Sequence, residues 1–102
     1  YWTLGSKVYM PEEMATLSMF RRFPEEVWSW YLYRLAVCLH AQPNTAHYVL
    51  AKMETTLDDR FTLITQNIDN LHIRAGNSLH NTFQIHGNIN FTRCSNNCHT
   101  HL

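Results

Sequence analysis

The stretch FTLITQNIDNLHIRAGN, residues 61–77, decides how the rest of the chain is interpreted. Its apolar first part, Phe61 to Thr65, is typical of a buried strand. Four residues follow, and all but one of them are polar: Gln66, Asn67, Ile68 and Asp69. Ligands of open α/β sheets bind outside the carboxyl ends of the strands, which favours a binding site here. The same residues also suit a structural role, in which Asp69 caps a short helix and the amides hold a turn.

The residues before this stretch predict helices. Proline followed by two acidic residues marks a helix start at Pro11 and again at Pro24, and the second helix should run to about Ala41. Asn44 is a good N-cap for a third helix that ends near Leu57. We therefore expect about residues 1–60 to be helical.

The residues after the strand predict short elements. A short helix is expected over about 70–75, with Gly76 as its C-terminal cap. Two short strands are expected near 83–86 and 89–93. The predicted order is three helices, a strand, a helix and two strands, so the fold class is α/β.

Composition limits the classes of function. The chain has 102 residues, of which 45% are hydrophobic, enough for the core of one small domain. Eight basic residues balance eight acidic ones, which disfavours nucleic acid and anionic membranes as partners. No apolar segment approaches the roughly 20 residues that span a bilayer. Three cysteines form no disulfide framework, suit a reducing compartment and leave metal binding open. We expect a soluble intracellular protein.

The second predicted helix carries an arginine among apolar residues. At about 100° per residue, Val27, Trp30 and Tyr31 share one side with Arg34. A guanidinium cannot be deprotonated, so it must reach water, a carbonyl or a carboxylate. In one interpretation Arg34 extends from the edge of the core and Tyr31 only packs. In the other, the phenol and the guanidinium point into one carboxylate-binding pocket.

A histidine follows the next short apolar run, in Ile85-His86-Gly87. Histidine can exchange a proton near neutral pH, and glycine lets a backbone or a ligand come close. A single histidine in this setting fits a structural role as well as a catalytic one.

Together these stretches resemble the sirtuin family of NAD-dependent protein lysine deacylases. The resemblance rests on TQNIDNLHIRAGN, IHGN and FTRCSNNC, and upstream on FPEEVWSWYLYRLAV and PNTAHYVLAKME. It covers nearly the whole chain, in the order of the family. It implies a helical segment that leads into part of a Rossmann-like parallel sheet and the start of a small zinc-binding domain. In that division the acyl-recognition segment is about 1–60, the NAD and catalytic segment about 61–88, and the zinc module begins at about 89.

The resemblance also implies roles for the polar residues. The pocket for nicotinamide and its ribose would include Gln66, Asn67, Ile68 and Asp69. His86 would be the general base that accepts a proton from a ribose hydroxyl after the acyl oxygen has displaced nicotinamide. The products would be O-acyl-ADP-ribose and free lysine, and the partners would be acylated lysine proteins or peptides. Such a protein would be cytoplasmic, or mitochondrial in a eukaryote.

Acyl choice is implied by the second helix. The class of sirtuins that removes succinyl and malonyl groups carries Tyr-x-x-Arg on a helix, and Tyr31-Leu32-Tyr33-Arg34 fits this pattern. Tyr31 and Arg34 would then clamp the distal carboxylate of the acyl group.

Zinc is the second implied ligand. Cys94 and Cys98 would supply ligands, although the family often uses Cys-x-x-Cys and here three residues separate the cysteines. His99 and His101 follow as alternative ligands, since zinc takes four.

The chain starts at Tyr1 and contains neither the glycine-rich phosphate loop of the family nor its second cysteine pair, so we expect an inactive fragment of an enzyme. The alternative is a non-catalytic helical interaction module with a Cys/His metal knuckle.

Overall fold

A computed structural model of the chain describes residues 1–98. The chain forms two compact units, residues 1–37 and the residues from Cys38 onward. In chain order the elements are β1 (Trp2–Leu4), β2 (Lys7–Tyr9), α1 (Pro11–Met14), α2 (Leu17–Arg22), α3 (Pro24–His40), α4 (Thr45–Leu57), a 3-10 turn (Asp58–Arg60), β3 (Leu63–Thr65), α5 (Leu71–Ala75) and β4 (Thr82–Gln84). None of the helices in residues 1–98 combines the length and the apolar character that a bilayer crossing requires.

The first unit begins with an antiparallel hairpin, so the prediction of helix throughout about residues 1–60 is wrong for residues 2–9. β1 and β2 pair with Trp2 opposite Tyr9 and Leu4 opposite Lys7. The turn between them contains Gly5 at φ 61°, a left-handed conformation that glycine adopts without steric cost. A two-residue turn with glycine first is a known hairpin signal. Three-residue strands are too short for side-chain alternation to reveal them.

The core of the first unit lies where the hairpin meets the helices. Its buried members are Tyr9, Met14, Met19, Val27 and Trp30. The indole Nε1 of Trp2 donates a hydrogen bond to Glu26 Oε2 at 3.0 Å, which ties the hairpin to α3. The predicted apolar side of α3 is confirmed, since Val27 and Trp30 are buried and Ser29 is exposed.

The second unit is organised by α4. Asn44 caps this helix as predicted, because its Oδ1 accepts a hydrogen bond from His47 N at 3.2 Å. His47 Nδ1 in turn accepts one from Asn44 N at 3.1 Å, so the two residues form a reciprocal cap. Asp58 ends α4 at φ 49°, and Phe61, two residues before β3, is buried.

The strands β3 and β4 form a parallel pair, with Leu63 opposite Thr82 and Thr65 opposite Gln84. This pairing, with α5 between the strands, confirms the predicted α/β class. Gly76 ends α5 in the left-handed region at φ 116°, also as predicted.

The predicted strand at 89–93 does not form. Asn88 Oδ1 accepts a hydrogen bond from Asn90 N at 3.0 Å, and the Asn88 carbonyl accepts one from Phe91 N at 3.1 Å. Asparagine side chains that bond to the backbone two residues on favour turns, and this turn replaces the strand. The strand predicted near 83–86 is Thr82–Gln84, because Ile85 and His86 already lie in a turn.

Candidate active site

The polar run after β3 forms a tight connection to α5. The Thr65 hydroxyl accepts a hydrogen bond from Asn67 N at 3.1 Å. Asp69 Oδ1 accepts one from Leu71 N at 2.9 Å, so Asp69 does hold the start of the short helix. Gln66 and Asn67 are exposed, while Ile68 and Asp69 are half-buried. The connection therefore fixes the backbone and leaves both amide side chains available to a ligand.

His86 lies at the end of β4 and contacts the same connection. Its Nδ1 is 3.1 Å from the carbonyl oxygen of Gln66. A carbonyl only accepts, so this contact requires Nδ1 to carry the proton. In the neutral ring Nε2 then holds the lone pair. The ring is exposed and is followed by Gly87 at φ 86°. The geometry thus presents Nε2 as a proton acceptor.

A second set of bonds holds the two strand ends together. The side-chain nitrogen of Asn88 donates to Asn70 Oδ1 and to Gln84 Oε1, each at 2.7 Å. Ile89 N donates to the Ile68 carbonyl at 2.9 Å. No pattern in the sequence indicates that Asn88 joins the connections after both strands, because an amide after His-Gly is equally typical of a surface turn.

A shallow cleft, open to solvent, lies at the ends of the two strands. Its lining includes Asn67 and Asp69, together with Thr65, His72, Thr82 and Gln84. Gln66, Ile68 and His86 do not line it. Of the four residues predicted to bind nicotinamide and its ribose, Asn67 and Asp69 therefore line one cleft. A third, Gln66, contacts His86 through its backbone carbonyl.

Two polar atoms of the cleft residues are buried without a hydrogen-bond partner in the described part of the chain: Thr82 Oγ1 and His72 Nδ1. The ring of His72 lies 4.8 Å from that of His47, centroid to centroid. Burial, and to a smaller extent the neighbouring His47, lower the pKa of His72, while the Asp69 carboxylate opposes this shift. The residues that line the cleft thus carry amide, carboxylate, hydroxyl and imidazole groups. Such groups fit the carboxamide and the ribose hydroxyls of a nicotinamide nucleoside.

Tyr31 and Arg34 belong to the first unit. Both are half-buried, on the same side of α3. The Arg34 guanidinium lies over the Trp30 ring at 4.7 Å from its centroid, and the Tyr31 ring meets Trp30 edge-on at 4.8 Å. The indole face therefore supports the arginine. The contact that the structure shows for this guanidinium is the one with the Trp30 ring.

Cys94 and Cys98 lie on one turn, in which Asn97 N donates to the Cys94 carbonyl at 3.0 Å. Cys98 Sγ donates a hydrogen bond to Cys94 Sγ at 2.8 Å. This bond lowers the pKa of the Cys94 thiol and raises the pKa of the Cys98 thiol.

The two cysteines suit zinc as half of a four-ligand set. Zn–S distances of about 2.3 Å in a tetrahedral site separate two sulfurs by about 3.8 Å. No cluster of three or more His, Cys, Asp or Glu occurs among residues 1–98. The alternative ligands His99 and His101 lie outside the described residues.

These features define an α/β protein with a cleft at the carboxyl ends of its parallel strands, which is where open α/β sheets bind their ligands. Comparison with known proteins identifies the family. The chain belongs to the Sir2 family, whose sequence model matches residues 3–102.

Similar proteins from bacteria, archaea and animals carry related names. An NAD-dependent protein deacylase of Thermus thermophilus is 42% identical over 91 residues, which are 86% of this chain and 35% of the relative. NAD-dependent protein deacylase 1 of Archaeoglobus fulgidus is 44% identical over 87 residues, 85% of this chain and 34% of the relative. The mitochondrial NAD-dependent protein deacylase sirtuin-5 of Xenopus tropicalis is 41% identical over 98 residues, 93% of this chain and 30% of the relative.

Solved structures agree with the sequence relatives. A Sir2 homologue in complex with 2′-O-acetyl ADP ribose has a TM-score of 0.74 and 42% identity, over 85% of this chain and 34% of that chain. A Sir2 homologue in complex with NAD has a TM-score of 0.70 and 44% identity, over 78% of this chain and 30% of that chain. The chain thus spans about a third of the length of the relatives that it matches.

Proposed function

We propose that the whole protein removes acyl groups from protein lysines in a reaction that consumes NAD. The observation that carries this proposal is the contact between His86 Nδ1 and the Gln66 carbonyl, because it joins the proton-accepting ring to the polar run after β3. The deacylase names of the relatives and the NAD complex of a similar structure support it.

The residues of the second unit would divide the chemistry between them. When bound, NAD supplies a ribose that takes up the acyl group as nicotinamide leaves. Asn67 and Asp69 would hold the carboxamide and a ribose hydroxyl by hydrogen bonds, with Gln66 and Ile68 completing the pocket. His86 Nε2 would accept a proton from a ribose hydroxyl, while the Gln66 carbonyl keeps the ring in the required tautomer.

The role of His86 is tested by His86→Ala in the whole protein. General-base catalysis contributes about 10²- to 10⁴-fold, so deacylation should fall by at least about 100-fold. Acyl-peptide binding, measured by calorimetry, should change little, because the base acts after the substrates are bound.

The matched control is His80→Ala, an exposed histidine of the same unit, which should retain activity. Full activity of His86→Ala would contradict the assignment.

The preferred acyl groups are proposed to be succinyl and malonyl. Tyr31 and Arg34 would clamp the distal carboxylate, the guanidinium by charge-assisted hydrogen bonds. Support comes from Arg34, which is half-buried and whose guanidinium lies over the Trp30 ring. An acetyl group has no distal charge for them to pair with. Relative kcat/KM for succinyl, malonyl and acetyl forms of one peptide is the measurement that decides between these groups.

The metal is proposed to be a single structural zinc ion. Cys94 and Cys98 would hold it, with the remaining ligands outside the described residues. The hydrogen bond from Cys98 lowers the pKa of the Cys94 thiol, which favours the thiolate form that zinc binds.

A further inference from the structure

Glu54 is a buried carboxylate in the last turn of α4. It is 9% exposed, and it is the only buried acidic residue in the described part of the chain. Burying a charged group is costly unless hydrogen bonds compensate for the lost water. Neither the predicted NAD residues nor His86 requires a carboxylate at this position, so its retention in the interior needs another explanation.

Every hydrogen bond that the Glu54 carboxylate accepts from the described residues comes from one loop, residues 77–81, between α5 and β4. Asn77 Nδ2 donates at 2.7 Å, Ser78 N at 3.0 Å and Asn81 Nδ2 at 3.1 Å. The Ser78 hydroxyl donates as well, and its oxygen accepts from Asn81 N at 3.2 Å. The carboxylate thus fixes both ends of the loop and is fully paired itself.

The anchored loop leads directly into the strand pairing. The Asn81 carbonyl accepts a hydrogen bond from Leu63 N at 2.8 Å, which is the first bond between the β3 side and the β4 side. The pairing continues with the bond from Ile85 N to the Thr65 carbonyl at 3.1 Å and ends with the His86 contact to Gln66. Asn81 therefore belongs both to the Glu54 cluster and to the start of the parallel pair.

The register of this pair needs such an anchor. β4 is only three residues long, so few ladder bonds resist a slip. A slip of one residue would turn every side chain of a strand to the opposite face and would move His86 away from the Gln66 carbonyl.

We propose that Glu54 is a positioning residue that sets the register of β4 on β3 and thereby holds His86 in its proton-accepting tautomer. The functional part of this inference rests on the proposed role of His86. The structural part, that the Glu54 cluster controls the His86 ring, is independent of catalysis.

The test compares Glu54→Gln and Glu54→Ala with Asp59→Asn, an exposed acidic residue of the same unit, in the whole protein. The direct readout is the ¹⁵N NMR signature of the His86 imidazole, assigned with His86→Ala. In the wild type and in Asp59→Asn it should report a proton on Nδ1. In both Glu54 variants the signature should shift towards the tautomer with the proton on Nε2. The contact with the Gln66 carbonyl, which keeps the proton on Nδ1, is lost in these variants.

Turnover provides the second readout. A displacement of about 1 Å can cost on the order of 100-fold in rate, so kcat should fall by roughly 10- to 100-fold while KM for the acyl peptide changes less than about twofold. Glu54→Gln keeps the shape of the side chain and remains informative if Glu54→Ala does not fold.

A folded Glu54→Gln protein with an unchanged His86 signature would overturn the proposal, even if its stability were lower. If the wild type showed no deacylation, the proposed function would fail, and the ring signature would still decide the role of Glu54.

Discussion

Replacing Arg34 by Met in the whole protein separates acyl recognition from folding. Arg34 is half-buried, and its guanidinium lies over the Trp30 ring at 4.7 Å from the centroid. A cation–π contact at a partly exposed site is worth about 0.5–1 kcal/mol, and methionine keeps most of the bulk of the side chain. The variant should therefore unfold at a free energy within about 1 kcal/mol of the wild type.

The effect on an acidic acyl group should be larger. A succinyl carboxylate would enter the site without its charged partner, and truncating one member of such a pair costs about 2–5 kcal/mol. At about 1.4 kcal/mol per factor of ten, kcat/KM for the succinyl peptide should fall by about 30-fold or more. Tyr31→Phe should act in the same direction but more weakly, by about 2- to 10-fold, because it removes one neutral hydrogen bond.

The assay is kcat/KM for succinyl, malonyl and acetyl forms of one peptide, with urea unfolding as the measure of stability. Arg22→Met is the matched control, because the Arg22 guanidinium lies over the Phe23 ring at 5.0 Å in the same unit. Arg22→Met should lower the free energy of unfolding by about as much as Arg34→Met does, and it should leave acyl preference unchanged. If Arg34→Met lowers kcat/KM equally for all three peptides, the arginine is structural and the protein is better described as a deacetylase.

Three further predictions concern pH, metal and the isolated chain. Hydrogen bonds, first from the Ser78 side chain and then from Asn77, lower the pKa of Glu54 below the unfolded value of about 4.3, so the stability they add is present above that pH and is lost as pH falls through the folded pKa. The difference in urea unfolding free energy between wild type and Glu54→Gln should therefore be constant from about pH 7 to 5 and shrink below about 4.3. Native mass spectrometry should show at most one zinc, lost in Cys94→Ser and kept in Cys38→Ser, and full zinc in Cys94→Ser would show that the ligands are wrongly assigned. Residues 1–102 expressed alone should neither hydrolyse NAD nor deacylate peptides, since they span about a third of their relatives, and tight NAD binding in calorimetry would contradict this.

Elements with a strong local signal were predicted well from the sequence. The Asn44 cap, the end of α4 at Leu57 and the Gly76 cap all depend on side chains or backbone angles that act within one turn. The hairpin at residues 2–9 was missed because three-residue strands carry too little pattern. The strand expected at 89–93 was replaced by the Asn88 turn, whose side-chain bonds compete with strand pairing.

The candidate site was predictable from the sequence only in part. The polar run at 66–69 and His86 are visible as motifs, and their contact follows from the parallel pairing of two strands. The Glu54 cluster was not predictable, because Glu54 sits in a helix where an acidic residue is ordinarily solvated. Its burial depends on a loop 23 to 27 residues further along the chain, and helical periodicity carries no information about that loop.

The parallel arrangement of β3 and β4 also determines when the site can form during folding. Gln66 and His86 are 20 residues apart, and the intervening chain must form α5 and return before their contact exists. A parallel crossover of this kind must lose the entropy of closing its loop before the hydrogen bonds between the strands can form. It therefore contributes a slow, non-local step to folding. The capped helix α4 depends only on local contacts and can form earlier. Nascent chains should therefore acquire helix well before they acquire the tautomer of His86.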